Sequence, residues 1–74
     1  MRYVVVYERA GNGFGAFSPD VPGCYANGTS LDETRRLMRE AIVAHLEALR
    51  DGGLPVPDGR TDLVEASAEI VDVA

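Results

Sequence analysis

The sequence predicts one small α+β domain of order β-β-β-α-β, with a four-stranded mixed sheet and one helix on one face of that sheet. Three observations predict it: a β-branched and aromatic run opens the chain, a glycine-centred turn follows, and a long amphipathic helical stripe comes later. The length of 74 residues suits one domain. Residues 1–74 are therefore expected to fold as a single unit, with strand order 3-2-1-4.

The first strand is predicted from Arg2 to Glu8. Its interior is β-branched and aromatic, which favours a packed, pleated environment. Because side chains alternate along a strand, one face carries Tyr3, Val5 and Tyr7 and the other carries Val4 and Val6. Two apolar faces are typical of a central strand that is covered on both sides.

A hairpin turn is predicted at residues 11–13, Gly-Asn-Gly, since these residue types tolerate positive φ. Phe14–Phe17 then forms the return strand. The next segment, residues 18–23, is a dense turn, because each of its two prolines fixes φ and removes a backbone donor. A short third strand is predicted over Cys24–Asn27, and Gly28 ends it.

The helix begins with a capping box, in which the Ser30 hydroxyl accepts from the backbone of Glu33 and the Glu33 carboxylate reaches back. Gly52 and Gly53 end it about five turns later. Between these signals, apolar positions recur at intervals of three and four residues; they are Leu31, Thr34, Leu37, Met38, Ala41, Ile42, His45, Leu46 and Leu49.

After a proline-containing loop that ends at Asp62, the chain alternates and predicts a last strand with one apolar and one polar face. The apolar set is Val64, Ala66, Ala68 and Ile70, and the polar set is Glu65, Ser67 and Glu69. A right-handed crossover through the helix would place this strand parallel to the first.

The composition limits the classes of partner. A formal net charge of −5 is repelled by phosphates, so direct nucleic-acid binding is not expected and a basic protein partner is favoured. No apolar run is long enough to span a membrane, and the start of the chain does not resemble a signal peptide. The single Cys24 excludes an intramolecular disulfide. The cytoplasm is therefore the expected compartment.

One helix can cover only one face of a four-stranded sheet, whereas the first strand is apolar on both faces. The uncovered face is therefore expected to meet another chain. A core of this size contributes only about 3–5 kcal/mol of net stability, which also favours self-association. A homodimer or homotetramer is expected, with Val4 and Val6 as candidates for its interface.

Candidate chemistry is sparse, and no catalytic, cofactor-binding or metal-binding residue is predicted. His45 lies on the apolar helical stripe, where a structural role is expected, and the lone Cys24 suits core packing. Asp20 has two interpretations that stay open: its carboxylate caps backbone amides of the turn, or it makes a charged contact with a partner. The candidate partner-binding residues are Asp20, Pro22, Gly23 and Tyr25.

Three segments in order give the chain a resemblance to a known family: Phe17–Cys24 (FSPDVPGC), Gly28–Glu33 (GTSLDE) and the helix that carries His45. Together they resemble the N-terminal domain of HicB-type antitoxins over nearly the whole chain. The resemblance implies a partial ribonuclease-H-like fold that lacks nuclease activity, forms dimers or larger assemblies, and covers the RNA-cutting surface of a small basic HicA toxin, an mRNA interferase. Full members carry a C-terminal DNA-binding segment, whereas only a short, strand-like stretch follows Asp62, so operator binding is not expected.

The residues agree with a non-catalytic domain. A ribonuclease-H-type site needs clustered acids around a divalent metal, one of them inside the first strand. Here that interior is valine, and the nearest acid is Glu8 at the strand end. Three hypotheses follow: an antitoxin that binds a HicA-type toxin, an orphan structural or regulatory module that self-associates without a toxin, and a small hydrolase using Cys24 or His45.

Overall fold

The structure is a computed structural model that describes residues 2–59 and 68–72. The described strands form one sheet of order β3-β2-β1-β4 with a single long helix. This architecture confirms the predicted α+β class, the element order and the strand order. The elements are β1 (Arg2–Ala10), β2 (Gly13–Phe17), β3 (Tyr25–Gly28), α1 (Leu31–Asp51) and β4 (Ala68–Asp72).

The orientation of β4 differs from the prediction. It pairs antiparallel to β1, with Val4 opposite Ile70, so every described strand pair is antiparallel and the sheet is not mixed. The parallel prediction assumed that the chain enters β4 directly after α1. Instead Gly59 packs against the carbonyl of Arg2, closer than a β-carbon would allow. The chain thus reaches the Arg2 end of β1 before β4 begins. β4 then starts opposite Val6 and runs back toward Arg2, which makes it antiparallel to β1.

The hairpin between β1 and β2 has the predicted turn. Gly11 has a φ of 59°, in the left-handed region that glycine adopts without steric cost. The resulting register pairs Val6 with Phe17 and Tyr7 with Ala16. Register matters here because it decides which side chains share a face of the sheet.

The core lies between the sheet and α1. Tyr3, Val5 and Tyr7 of β1 cover one side. The helix contributes the predicted stripe, of which Thr34, Met38, Ile42 and Leu46 are buried. His45 is half-buried on the same stripe, in agreement with a packing position. Burial of the three large apolar side chains among them, Met38, Ile42 and Leu46, contributes about 1.5–3 kcal/mol each and holds the helix on the sheet.

The caps of α1 explain its limits. The Glu33 backbone N–H donates to the Ser30 hydroxyl at 3.1 Å. The Glu33 carboxylate reaches one residue further back than the cap and accepts from the Thr29 N–H at 2.7 Å. At the other end the Gly52 N–H donates to the Ala48 carbonyl at 3.0 Å. The predicted capping box is confirmed, and the backbone N–H that donates to the Glu33 carboxylate is the one of Thr29.

The two faces of β4 are the reverse of those predicted. Val71 is 7% exposed and belongs to the core, whereas Ile70 is 48% exposed on the other side of the sheet. Successive side chains do alternate between the two sides of the sheet, but the polar residue Glu69 lies on the helix side with Val71, where it pairs with Arg35. Residues 64–67 of the predicted strand lie outside the described residues.

Candidate partner-binding surface

The sheet face that points away from α1 carries a row of exposed apolar side chains, here called the open face. Val6, Phe17 and Tyr25 lie directly opposite one another on β1, β2 and β3. Ile70 of β4 lies on the same face beside Val4. The exposed fractions of Phe17, Tyr25 and Ile70 are 37%, 69% and 48%. Because no described element covers them, these side chains form a contiguous apolar surface of the kind that marks interfaces.

Val4 belongs to this face by alternation but is only 3% exposed. The turn after β2 runs beside Val4, where β2 no longer pairs with β1. The Val4 N–H donates to Asp20 Oδ2 at 2.9 Å, and the buried Ser18 hydroxyl donates to the Val4 carbonyl at 2.8 Å. Two side chains thus replace the backbone partners that a continued β2 would provide. Val4 has little surface left for an oligomer interface, while half-buried Val6 has more.

Asp20 therefore has a demonstrated intramolecular role. Its backbone N–H also donates to the Ser18 hydroxyl at 3.2 Å, which closes a small network between the turn and β1. The sequence left open the capping of turn amides or a charged contact with a partner; Oδ2 does cap a backbone amide, but that amide is the one of Val4 in β1 and not one of the turn. The side chain is half-buried, so its position beside β1 is fixed before any partner arrives.

The other candidate contact residues lie in and just after the same turn. Pro22 and Gly23 are exposed, and Gly23 has a φ of 85°. Val21 and Cys24, which flank them, are buried at 0% and 4% exposure. The buried side chains of Val21 and Cys24 thus anchor the turn on either side, and Pro22 and Gly23 between them are exposed to solvent near the exposed Tyr25.

Cys24 has the environment of a packing residue. Burial raises the pKa of its thiol, which disfavours the nucleophilic thiolate. Among residues 2–59 and 68–72, no group of three or more metal-ligating side chains converges. In the same part of the chain, no helix is both long and apolar enough to cross a bilayer.

On the helix side, a polar cluster that the sequence did not predict ties β4 to α1. Arg35 donates to Glu69 through Nε at 2.8 Å and through a terminal nitrogen at 2.7 Å. Its guanidinium also lies 5.8 Å from the centre of the Tyr7 ring. The hydrogen bond from Arg35 lowers the pKa of Glu69. Burial, and then the neighbouring Glu69 carboxylate, raise the pKa of Tyr7 to about 12.

Sequence reasoning missed Phe17 and Ile70 as surface residues. The signal for Phe17 was available in the sequence, because the hairpin register places it opposite Val6. Ile70 was assigned to the apolar face of β4, but nothing in the sequence says which face of β4 meets α1.

Comparison with known proteins identifies the relatives of this arrangement. The family model described as the HicB-like antitoxin of bacterial toxin-antitoxin systems matches residues 3–72. An uncharacterised 14.9 kDa protein in the rep-hol intergenic region of Haemophilus phage HP1 (strain HP1c1) is 33% identical over 57 residues, which is 77% of this chain. The chain spans only 43% of that relative's length.

Two solved structures extend the likeness to the fold. The N-terminal domain of the Burkholderia pseudomallei antitoxin HicB matches 100% of this chain and 99% of its own, with 27% identity and a TM-score of 0.84. A chain of a HicA3 and HicB3 toxin-antitoxin complex matches 84% of this chain and 72% of its own, with 31% identity and a TM-score of 0.73.

Proposed function

The chain belongs to the HicB-like antitoxins of bacterial toxin-antitoxin systems, and we propose that it binds and neutralises a small, basic HicA-type mRNA interferase without catalysing a reaction itself. The solved HicA3 and HicB3 complex supports a partner of this kind, because one of its chains is similar to this one. The proposed compartment is the cytoplasm, where such a toxin meets mRNA.

The observation that carries the proposal is the open face. Phe17, Tyr25 and Ile70 are large apolar side chains that no described element covers. Aromatic side chains contribute most to the energetics of interfaces, since each buries about 150–250 Å². The net charge of −5 adds long-range attraction toward a basic protein. An acidic domain with an aromatic surface is suited to cover a basic RNA-binding surface.

The turn beside this face supplies further proposed contacts. Pro22 and Gly23 are exposed next to Tyr25, and Asp20 is held in place by β1. We assign these four residues to the toxin contact. Val6, with a minor share from Val4, is assigned to self-association as a homodimer or homotetramer.

The test uses a purified, small and basic HicA-type toxin. RNA cleavage by the purified toxin is measured while the chain is added. We expect stoichiometric inhibition by the wild type. Tyr25→Ala is expected to weaken inhibition about tenfold or more, as for a truncated interface aromatic. Val43→Ala is the matched control, because Val43 is a partly exposed apolar residue on α1. Unchanged RNA cleavage at a large excess of the chain would refute the proposal.

The open face also favours a second candidate, an orphan structural or regulatory module that only self-associates. In that case two open faces would pack on each other, and no toxin would compete. Sedimentation analysis distinguishes the two. A dimer or tetramer that Tyr25→Ala dissociates, together with no binding of the toxin, would select the second candidate.

A further inference from the structure

The open face contains a notch that the apolar row does not explain. Gly15 lies at its floor, directly between Glu8 of β1 and Asn27 of β3 in the strand register. Because glycine has no side chain, the sheet surface is depressed at that point. The notch has a volume of about 290 Å³, which is many times what one water molecule needs.

The walls of this notch, here called the Gly15 notch, combine three kinds of group. Phe17 and Tyr25 supply aromatic surface at one end. Glu8 supplies a carboxylate on one side, and Asn27 supplies an amide oxygen on the other. Glu8 is exposed, and within residues 2–59 and 68–72 its carboxylate has no hydrogen-bond or ion-pair partner.

These groups share a preference for a planar cation. A carboxylate forms charge-assisted hydrogen bonds with a guanidinium group, and an amide oxygen accepts from its remaining N–H groups. Aromatic faces attract the same group through their quadrupole, and arginine stacks on them more readily than lysine. An anion would be repelled by Glu8, and an apolar side chain would desolvate that carboxylate without compensation.

From this arrangement we infer that the Gly15 notch receives an arginine side chain of the protein partner. The inference rests on the proposed function, because it names the chemistry by which the open face recognises a basic protein. Glu8 binds the guanidinium, Asn27 orients it, and Tyr25 with Phe17 covers its face. The charge of the whole chain, −5, favours the approach of a cationic partner.

A small probe tests the notch without the partner. The ¹⁵N-labelled chain is titrated with N-acetyl-arginine amide at constant low ionic strength, because salt screens exposed charges. We expect weak, saturable shifts at the backbone amides of Gly15, Tyr25 and Asn27. The neutral isostere N-acetyl-citrulline amide is expected to shift none of them, which separates the cation from the shape of the side chain.

Two variants and one control locate the effect. Glu8→Gln is expected to weaken binding of the probe about two- to fivefold, which lies within the range of an exposed ion pair. Gly15→Val fills the notch and is expected to abolish the localised shifts. A β-carbon at this position meets the Asn27 amide oxygen at 3.3 Å, and that side chain can move; the Ala26 carbonyl oxygen, at 3.9 Å, is at ordinary van der Waals distance. Glu47→Gln removes the same charge from the exposed surface of α1 and is expected to change nothing.

Equal weakening by Glu8→Gln and Glu47→Gln would overturn the inference, since the probe would then sense only total charge. The absence of localised shifts in the wild type would overturn it as well. If the chemical shifts of the notch amides change with the concentration of the chain itself, a second copy of the chain occupies the notch. That result would also overturn the inference. The proposed function fails separately, when the toxin is not inhibited although the arginine probe binds the notch.

Discussion

Replacing Asp20 by alanine tests whether its carboxylate stabilises the fold through β1. In the wild type, Asp20 Oδ2 accepts from the Val4 N–H at 2.9 Å. Val4 is 3% exposed, so water does not readily take the place of the lost acceptor. Asp20→Ala therefore leaves a buried backbone donor without a partner. The loss in stability then includes the desolvation penalty of that donor as well as the lost hydrogen bond.

The expected size follows from the charge of the acceptor. A hydrogen bond to a charged group contributes about 1.5–3 kcal/mol. A domain of this length has a net stability of only about 3–5 kcal/mol, so Asp20→Ala should remove roughly half of it. In urea unfolding at fixed protein concentration, a slope of about 1 kcal/mol per M converts this loss into a midpoint lower by about 2 M.

Two variants make the measurement decisive. Asp20→Asn keeps an acceptor oxygen without its charge, so its midpoint should fall by about half as much. Asp58→Ala, which removes an exposed carboxylate from the loop after α1, should stay within about 0.5 kcal/mol of the wild type. The reasoning is refuted when Asp20→Ala and Asp58→Ala unfold at the same urea concentration. A loss of toxin affinity in Asp20→Ala without any loss of stability would assign Asp20 to the partner contact alone.

Two further predictions concern contacts made by the part of the chain that follows α1: the pairing of Glu69 in β4 with Arg35, and the hydrogen bond of the Pro57 carbonyl with Tyr3. Because the folded-state pKa of Glu69 lies below its ordinary value of 4.5, its stabilising effect is fully present above that value and is lost as pH falls through the folded pKa. Arg35→Met should therefore lower the urea midpoint near neutral pH and flatten the decline of that midpoint at acidic pH. The control is Arg36→Met, which breaks only the surface pair with Glu40. If the urea midpoints of the two variants depend on pH in the same way, the prediction is wrong. Tyr3→Phe removes the 2.7 Å hydrogen bond to the Pro57 carbonyl and should cost about 1 kcal/mol, with faster proteolysis in residues 54–59; protease resistance equal to the wild type would argue against this tether.

The hairpin and the helix could be predicted because their causes are local. The Gly-Asn-Gly turn fixes the register of β1 and β2 within a few residues, and the capping box with the stripe after it defines α1. The open face follows from the same register, since Val6 and Phe17 must share a side once the hairpin closes. Asp20 could be narrowed only to two roles, because its partner is a backbone group 16 positions away.

The last strand shows where local reasoning stops. Its alternation was visible, but neither its direction nor the face that meets α1 is encoded within it. Residues 52–67 connect α1 to β4, and a connection of that length can enter a strand from either end. Packing of Gly59 against the Arg2 carbonyl and pairing of Ile70 with Val4 decide the direction, and the Arg35–Glu69 pair holds the chosen face.

By itself, the sequence determined the fold class, the strand order, the capped helix, the acidic charge and the resemblance to the HicB family. Each of these depends on neighbours in the chain or on composition. Only the tertiary structure decided that β4 is antiparallel, that Ile70 joins Phe17 and Tyr25 on the open face, and that Glu8 and Asn27 flank the Gly15 notch. The physical reason is that these features join residues from separate strands, and their relative positions exist only after the sheet has formed.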